Sequence, residues 1–243
     1  MAVAMRAVPA LGLFGWRPLL ALAAFSSLAF AEPSPAPAWR DDYTTRVEAL
    51  ALLQTLNAEL LSNDSATLTL DRWCATHNLA SPARIVAERV DGADSAVTEE
   101  QRKLLAVGPD EPVRFRRVRL KCGEHVLSEA ENWYVPSRLT AEMNRTLDAT
   151  DTAFGRVVKP LNFQRRTLSA KLLWSPLPAG WEMRAANDNT PLPSDGTLQI
   201  PHEVLQHRAV LVLPDGTPIS QVTETYTGDV LAFPDPLPPA NAR

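Results

Sequence analysis

Counting with a period of two places two charges on strand faces where apolar side chains predominate. In residues 113–122, Arg114, Arg116, Val118, Leu120 and Cys122 share one face, and Phe115, Arg117, Arg119 and Lys121 share the other. In residues 218–227, Ser220, Val222, Glu224 and Tyr226 lie together, opposite Gln221, Thr223, Thr225 and Thr227. A guanidinium or carboxylate taken out of water is costly unless it is paired. Arg116 and Glu224 are therefore a mutual ion pair, the lining of a polar ligand pocket, or charges at a rim that reach water. Residues 150–167, TDTAFGRVVKPLNFQRRT, add Arg156, Lys159, Arg165 and Arg166 behind a single aspartate, Asp151. A short helix starting at Asp151-Thr152 would set the amides of Phe154 and Gly155 at its positive end, where N–H groups hold a carboxylate. Gly155, lacking a Cβ, would allow close backbone approach. The plainer alternative is a solvated basic face with Gly155 in a turn. Four scattered histidines (His77, His125, His202 and His207), with no HExxH, no G-x-S-x-G and no phosphate-binding glycine loop, point away from metal or nucleophile chemistry.

The elements that must position these groups follow from pattern and punctuation. Residues 43–62 read as a helix with Leu53, Leu56 and Leu60 on one face, extended by Val47 and Leu50. A second helix starts near Asp64–Thr69 and runs through LDRWCATH. A strand over 83–90 and a helical turn or two over 99–105 follow. Residues 113–136 form two β-rich runs around Cys122-Gly123-Glu124, a hairpin. Thr140 caps a helix carrying Met143 and Leu147 on one face. Residues 163–174 read as a strand, 175–196 as a surface excursion rich in Pro, Asn, Asp and Gly, and 207–229 as two strands around Pro214-Asp215-Gly216. Hairpin-joined strands with helices between them predict an α+β domain, an antiparallel sheet with its helices grouped on one side.

The chain ends set the context. Residues 1–17 hold two arginines and no acid, residues 18–30 are almost wholly apolar, and Ala29-Phe30-Ala31 matches the small-x-small pattern of a cleavage site. This predicts a signal peptide over 1–31, cut after Ala31; the apolar run falls short of the roughly 20 residues of a membrane-crossing helix. Residues 32–42 are a proline-rich tether, 43–232 a single domain and 233–243 a proline-rich tail. The expected location is periplasmic or secreted, with no membrane insertion after cleavage. The formal charge is −4, and losing Arg6 and Arg17 with the leader takes it to −6, which speaks against nucleic acid as a partner. Cys74 and Cys122, the only cysteines, either pair in an oxidising compartment or stay as buried thiols; the sequence sets no distance between them.

Several segments resemble, in order, the chorismate pyruvate-lyase family and its wider superfamily, which includes ligand-sensing domains of bacterial transcription regulators. They are DSATLTLDRW (64–73), RRVRLKCGE (116–124) leading to WYVP, TAFGRVV (152–158) and HRAVLVLPDGTPISQVTE (207–224). The resemblance implies a lyase that releases pyruvate from chorismate without metal or organic cofactor and leaves 4-hydroxybenzoate. By motif it places a carboxylate-binding arginine at Arg116, a glutamate contacting the ring hydroxyl at Glu224, and amide donors near Ala66 and Phe154-Gly155; Arg156 and its basic neighbours in 150–167 would add positive field to that wall. The implied partner is a small aromatic carboxylate such as chorismate or 4-hydroxybenzoate, taken by a monomer. The alternative is a periplasmic domain that binds an aromatic acid without turning it over. This chain departs from the lyase pattern by one extra residue between Gly216 and Glu224, so a bulge must restore the register or Glu224 faces outward.

Overall fold

The computed structural model describes residues 1–2, 39–90, 92, 94–183 and 196–234. Residues 3–31 of the expected leader, 32–38 of the tether, 184–195 of the excursion and 235–243 of the tail lie outside the described residues. The body is an α+β domain on one antiparallel sheet, with strands β1 (Ile85–Arg89), β2 (Arg114–Cys122), β3 (His125–Tyr134), β4 (Gln164–Leu172), β5 (Glu203–Val212) and β6 (Pro218–Thr227) in the order β1-β2-β3-β6-β5-β4. The β2–β3 turn works because Gly123 takes a φ of +57°, a conformation that glycine adopts without a Cβ clash.

Helices α1 (Tyr43–Ser62) and α2 (Ala66–Thr76) cover the inner face of the sheet. Leu53, Leu56 and Leu60 of α1 and Leu70 and Trp73 of α2 are buried against Ile85, Val118, Leu120, Leu205, Val222 and Tyr226. The buried stripe of α1 continues through Ala49 and Thr45, whereas Val47 and Leu50 are only half-buried beside it. Two further helices sit on this side: α4 (Ala141–Ala149), capped by Thr140 with Leu147 inward, and α5 (Phe154–Val157). The helix of residues 99–105, α3 (Glu99–Leu105), instead packs on the outer face, where Leu105 meets Trp133 and Val135, and Gln101 donates to Gln221 at 3.1 Å.

Two features tie this body together. Cys74 of α2 and Cys122 of β2 form a disulfide with their Cα atoms 6.3 Å apart. The aromatic residues flanking the domain also meet: Phe233 stacks on His77 at 4.3 Å and abuts Trp39 edge-on at 5.8 Å, while Trp39 Nε1 donates to the Leu231 carbonyl. The folded body therefore runs from Trp39 to Phe233, a few residues beyond the 43–232 expected at its N-terminal side and one beyond at the other.

Candidate functional site

A cavity lies between the inner face of the sheet and the N-terminus of α2. Its polar lining comprises Asp64, Ser65, Thr67, Arg116, Asn132, Arg165, Ser220 and Glu224, and its apolar lining includes Val118, Leu120, Ala130, Phe154, Phe163, Leu211 and Val222. The free volume is about 40 Å³, room for about three water molecules.

The local folding of each wall follows from its sequence. On β2, alternation turns Arg116, Val118 and Leu120 inward, and their neighbours on β3 (Asn132 and Ala130) and β6 (Val222 and Glu224) share that face through the register Arg116↔Asn132↔Val222 and Val118↔Ala130↔Glu224. β6 bulges against β5 at Ile219, where Leu211 pairs with Ser220 but Val212 with Pro218, and from Ser220 onward its alternation turns Val222 and Glu224 inward. Ser65 caps α2, its side chain accepting from the Leu68 N–H. The N–H groups of Ala66 and Thr67, in the first turn, have no partner within the helix. Gly155 allows α5 to rest on this helix start, since a Cβ there would lie 2.8 Å from Ser65 Oγ and 3.3 Å from Thr67 Oγ1. The close approach that Gly155 permits is thus between α5 and α2.

The electrostatics divide the cavity into two poles. At one, Arg116 is 8% exposed, with long contacts from Nη2 to the carbonyls of Thr150 (3.4 Å) and Thr152 (3.3 Å). Its Nε is buried and has no partner. Burial, followed by the nearby positive charge of Arg89, lowers its pKa from the ordinary arginine value. Beside it Ser220 donates to Asn132 Oδ1, so the Asn132 amide N–H groups are what this pair still offers. At the other pole Arg165 Nη2 donates to Glu224 Oε2 at 2.5 Å, with side chains 3% and 8% exposed, and the Tyr226 hydroxyl donates to the same oxygen at 3.2 Å. Burial opposes the charge on Arg165, but Glu224 and its neighbours together raise its pKa. Tyr226, buried and next to Glu224, is pushed well above the ordinary tyrosine value. His207 pairs with Glu224 across β5 and β6, donates from Nε2 to Asn57 Oδ1 at 2.9 Å, and is held down to about 4 by burial and by Arg165.

Of the residues singled out from sequence, Arg116, Glu224, Ala66, Phe154 and Gly155 line this cavity, whereas Arg156 does not. Arg156 is spent on Asp71 of α2 (2.8 Å), whose carboxylate also accepts from the Ile85 N–H, and so fastens α5 to α2 and β1. The helix after Asp151-Thr152 is also shorter and later than expected, with Ala153 at its cap and no side-chain capping bond. Arg116 and Glu224 do not pair with each other; each sits at its own pole. Sequence reasoning missed the roles of Arg165, Asn132 and Ser220. The strand QRRTLSAKL is exposed along most of its length, so its apolar pattern sets no phase. Counting from buried Phe163 would have turned Arg165 inward.

Among the described residues, no group of His, Cys, Asp and Glu side chains could hold a metal ion, and no helix is long and apolar enough to cross a membrane.

Comparison with known proteins defines a family. The chain is 59% identical over 200 residues to the uncharacterized protein y4mC of Sinorhizobium fredii, a match covering 82% of this chain and 83% of that one. It belongs to the same family as y4mC. No protein-family model matches the chain. Among solved structures it is similar to PhnF from Mycobacterium smegmatis (TM-score 0.42, 15% identity, 70% of this chain and 66% of that one). It is similar as well to the effector domain of PhnF alone (TM-score 0.40, 16% identity, 63% and 88%). A GntR-family transcriptional regulator from Enterococcus faecalis also matches (TM-score 0.37, 12% identity, 63% and 99%). The sequence match corrects the resemblance to the chorismate pyruvate-lyase family: the family shown is that of y4mC.

Proposed function

We propose that this domain is a binding module for a small organic carboxylate with an apolar, aromatic body, acting in the periplasm or outside the cell. One observation carries the reading: Arg116 is buried with its Nε unpartnered, in a cavity that it lines together with the first turn of α2 and whose other walls are largely apolar. An unpaired guanidinium N–H in such a place costs stability unless a ligand fills it, and a carboxylate fits its planar fork. A ring would lie against Val118, Leu120, Leu211 and Val222, and its admission would need Phe154, which is only half-buried, to swing outward.

Binding without turnover is favoured because Glu224 is already held by Arg165 and Tyr226, which makes it a poor proton acceptor. The expected leader and the Cys74–Cys122 bridge both suit an oxidising compartment. The test is a titration of the purified protein with benzoate and 4-hydroxybenzoate, followed by calorimetry and by melting temperature. At a ligand concentration of 100 Kd the fold should gain about 2.7 kcal/mol. Arg116→Leu should abolish binding while leaving the unliganded protein as stable as before or more so. The absence of a shift with either acid at millimolar concentration would refute the reading, and pyruvate released from chorismate would refute its non-catalytic part.

A further inference from the structure

A second, open groove lies at the free edge of β2, beyond the end of β1, with the C-terminus of α4 on its far side. Its volume is about 550 Å³, and its lining includes Arg89, Arg114, Arg116 and Arg117, against two acids, Asp94 and Asp148. Arg116 lines both this groove and the inner cavity. The neighbouring arginines are held in place by bonds that leave them charged. Arg89 Nη1 donates to the Asp148 carbonyl at 2.5 Å, so it caps the C-terminus of α4. Arg114 Nη1 donates to the Asp148 carboxylate at 2.8 and 3.1 Å, and Arg117 is drawn off to Glu129 at 3.3 Å.

Arg89 donates through Nη1 to the last carbonyls of α4, and Arg114 is shared between Asp148 and the Tyr134 hydroxyl, so Asp148 is the one acid bonded to this pair of guanidinium groups. A guanidinium has five N–H donors in a fixed fork that matches an oxyanion. Asp148 neutralises one of the positive charges and Asp94 a second, which leaves the lining net positive. Like charges in close array are unfavourable, and an anion between them removes the repulsion.

From this geometry, we propose that the edge groove is an oxyanion subsite, formed by Arg89 and Arg114 with Arg116 as its inner wall, that takes a carboxylate or phosphate group. The group reaches it in one of two ways: as a free inorganic oxyanion, or as a second acidic substituent of the ligand in the inner cavity. The second route rests on the binding function proposed above, and the first does not.

The experiment follows the arginine Nε–Hε resonances of the whole protein by NMR during titration with inorganic phosphate, and measures the affinities of benzoate and a matched dianion, isophthalate. Arg114→Gln and Arg89→Gln are run in parallel, with melting temperatures to confirm folding. Phosphate shifting the Arg89 and Arg114 signals, with the shift lost in either variant, supports the subsite with a free oxyanion. Isophthalate binding about tenfold more tightly than benzoate, as one charge-assisted contact would give, with that advantage erased in both variants and benzoate unaffected, supports the ligand-borne group. If phosphate moves no arginine signal and isophthalate has no advantage, the subsite is overturned. If neither acid binds but phosphate does, the subsite stands and the carboxylate-binding reading fails alone.

Discussion

On the outward face of the sheet, Arg117, Arg119 and Lys121 of β2 stand between Glu88 of β1 and Glu129 and Glu131 of β3, at 3.2 to 3.9 Å, with most of these side chains a quarter to a half exposed. On the inward face the same strand carries Arg116, and β6 carries Glu224, each less than a tenth exposed. Outside, charges are many, mutually paired and wetted, so each is replaceable. Inside, Arg165 and Glu224 form an ion pair, though Arg165 Nε is left without a partner, whereas Arg116 makes no ion pair and its Nε is likewise unpartnered. The contrast teaches that burial alone does not mark a binding group. Glu224 is buried and satisfied, while Arg116 is buried and unsatisfied, and only the second condition calls for a ligand.

Breaking the satisfied pair should have the largest effect. Glu224→Ala leaves Arg165 as an uncompensated charge with 3% of its side chain exposed and is expected to cost about 3 kcal/mol or more. Equilibrium denaturation in urea measures this. Replacing both partners with apolar residues, Arg165→Met with Glu224→Leu, should recover most of the loss, because no charge is then stranded. A single substitution that costs less than 1 kcal/mol would mean that water reaches Arg165 and that the pole is not sealed.

Alternation on β2 and β6 was enough to single out Arg116 and Glu224, and the order α-helix, hairpin, helix, hairpin was enough for an antiparallel α+β domain. These are local properties, carried by a period of two and by Gly123 at the turn. What was not legible depended on distance. The disulfide joins residues 48 apart in sequence, and only the packing of α2 across β2 brings them together. Arg156 looked like part of a binding wall because its acid, Asp71, lies 85 residues away. Arg165 lay hidden in an edge strand whose exposure erases the alternation. That α3 packs on the opposite face from the other helices was equally silent, since it follows from Gln101 meeting Gln221 across 120 residues.

The buried pole also has a pH signature smaller than the charge deletion. His207 is fully buried and held down to about 4, whereas an unfolded histidine takes its proton at about 6.5. Between those two values the unfolded chain binds more protons than the folded one, so stability falls as the pH drops through this window and levels off below it. Discounted for solvent screening, the loss should be about 2 kcal/mol. Asn57, Arg165, Glu224 and Tyr226 are the polar groups around the ring, and carboxylates elsewhere titrate in the same range. The quantity to measure is therefore the difference in unfolding free energy between the wild type and His207→Gln at pH 4, 5, 6 and 7. That difference should change with pH in the stated direction, the variant losing less stability on acidification. A constant difference would mean that the ring takes its proton within the fold without penalty.

The smallest effect is expected on the outward face, and its smallness is what separates the two environments. Glu129 touches Arg117 at 3.3 Å and Arg119 at 3.5 Å, the most connected acid of the ladder, yet both arginines are more than two-fifths exposed and have Glu131 or Glu88 as second partners. Its removal strands nothing, because each arginine keeps an acid and water. Glu129→Ala should therefore cost less than about 1 kcal/mol, and the cost should shrink further as salt rises from 0.05 M toward 1 M, where screening acts within about 3 Å. The same salt series applied to Glu224→Ala should leave its larger cost nearly unchanged, since a pair this deeply buried is screened little by dissolved salt. Equal salt sensitivity at the two positions would erase the distinction between the faces and, with it, the reason for reading Arg116 as a group that awaits a ligand.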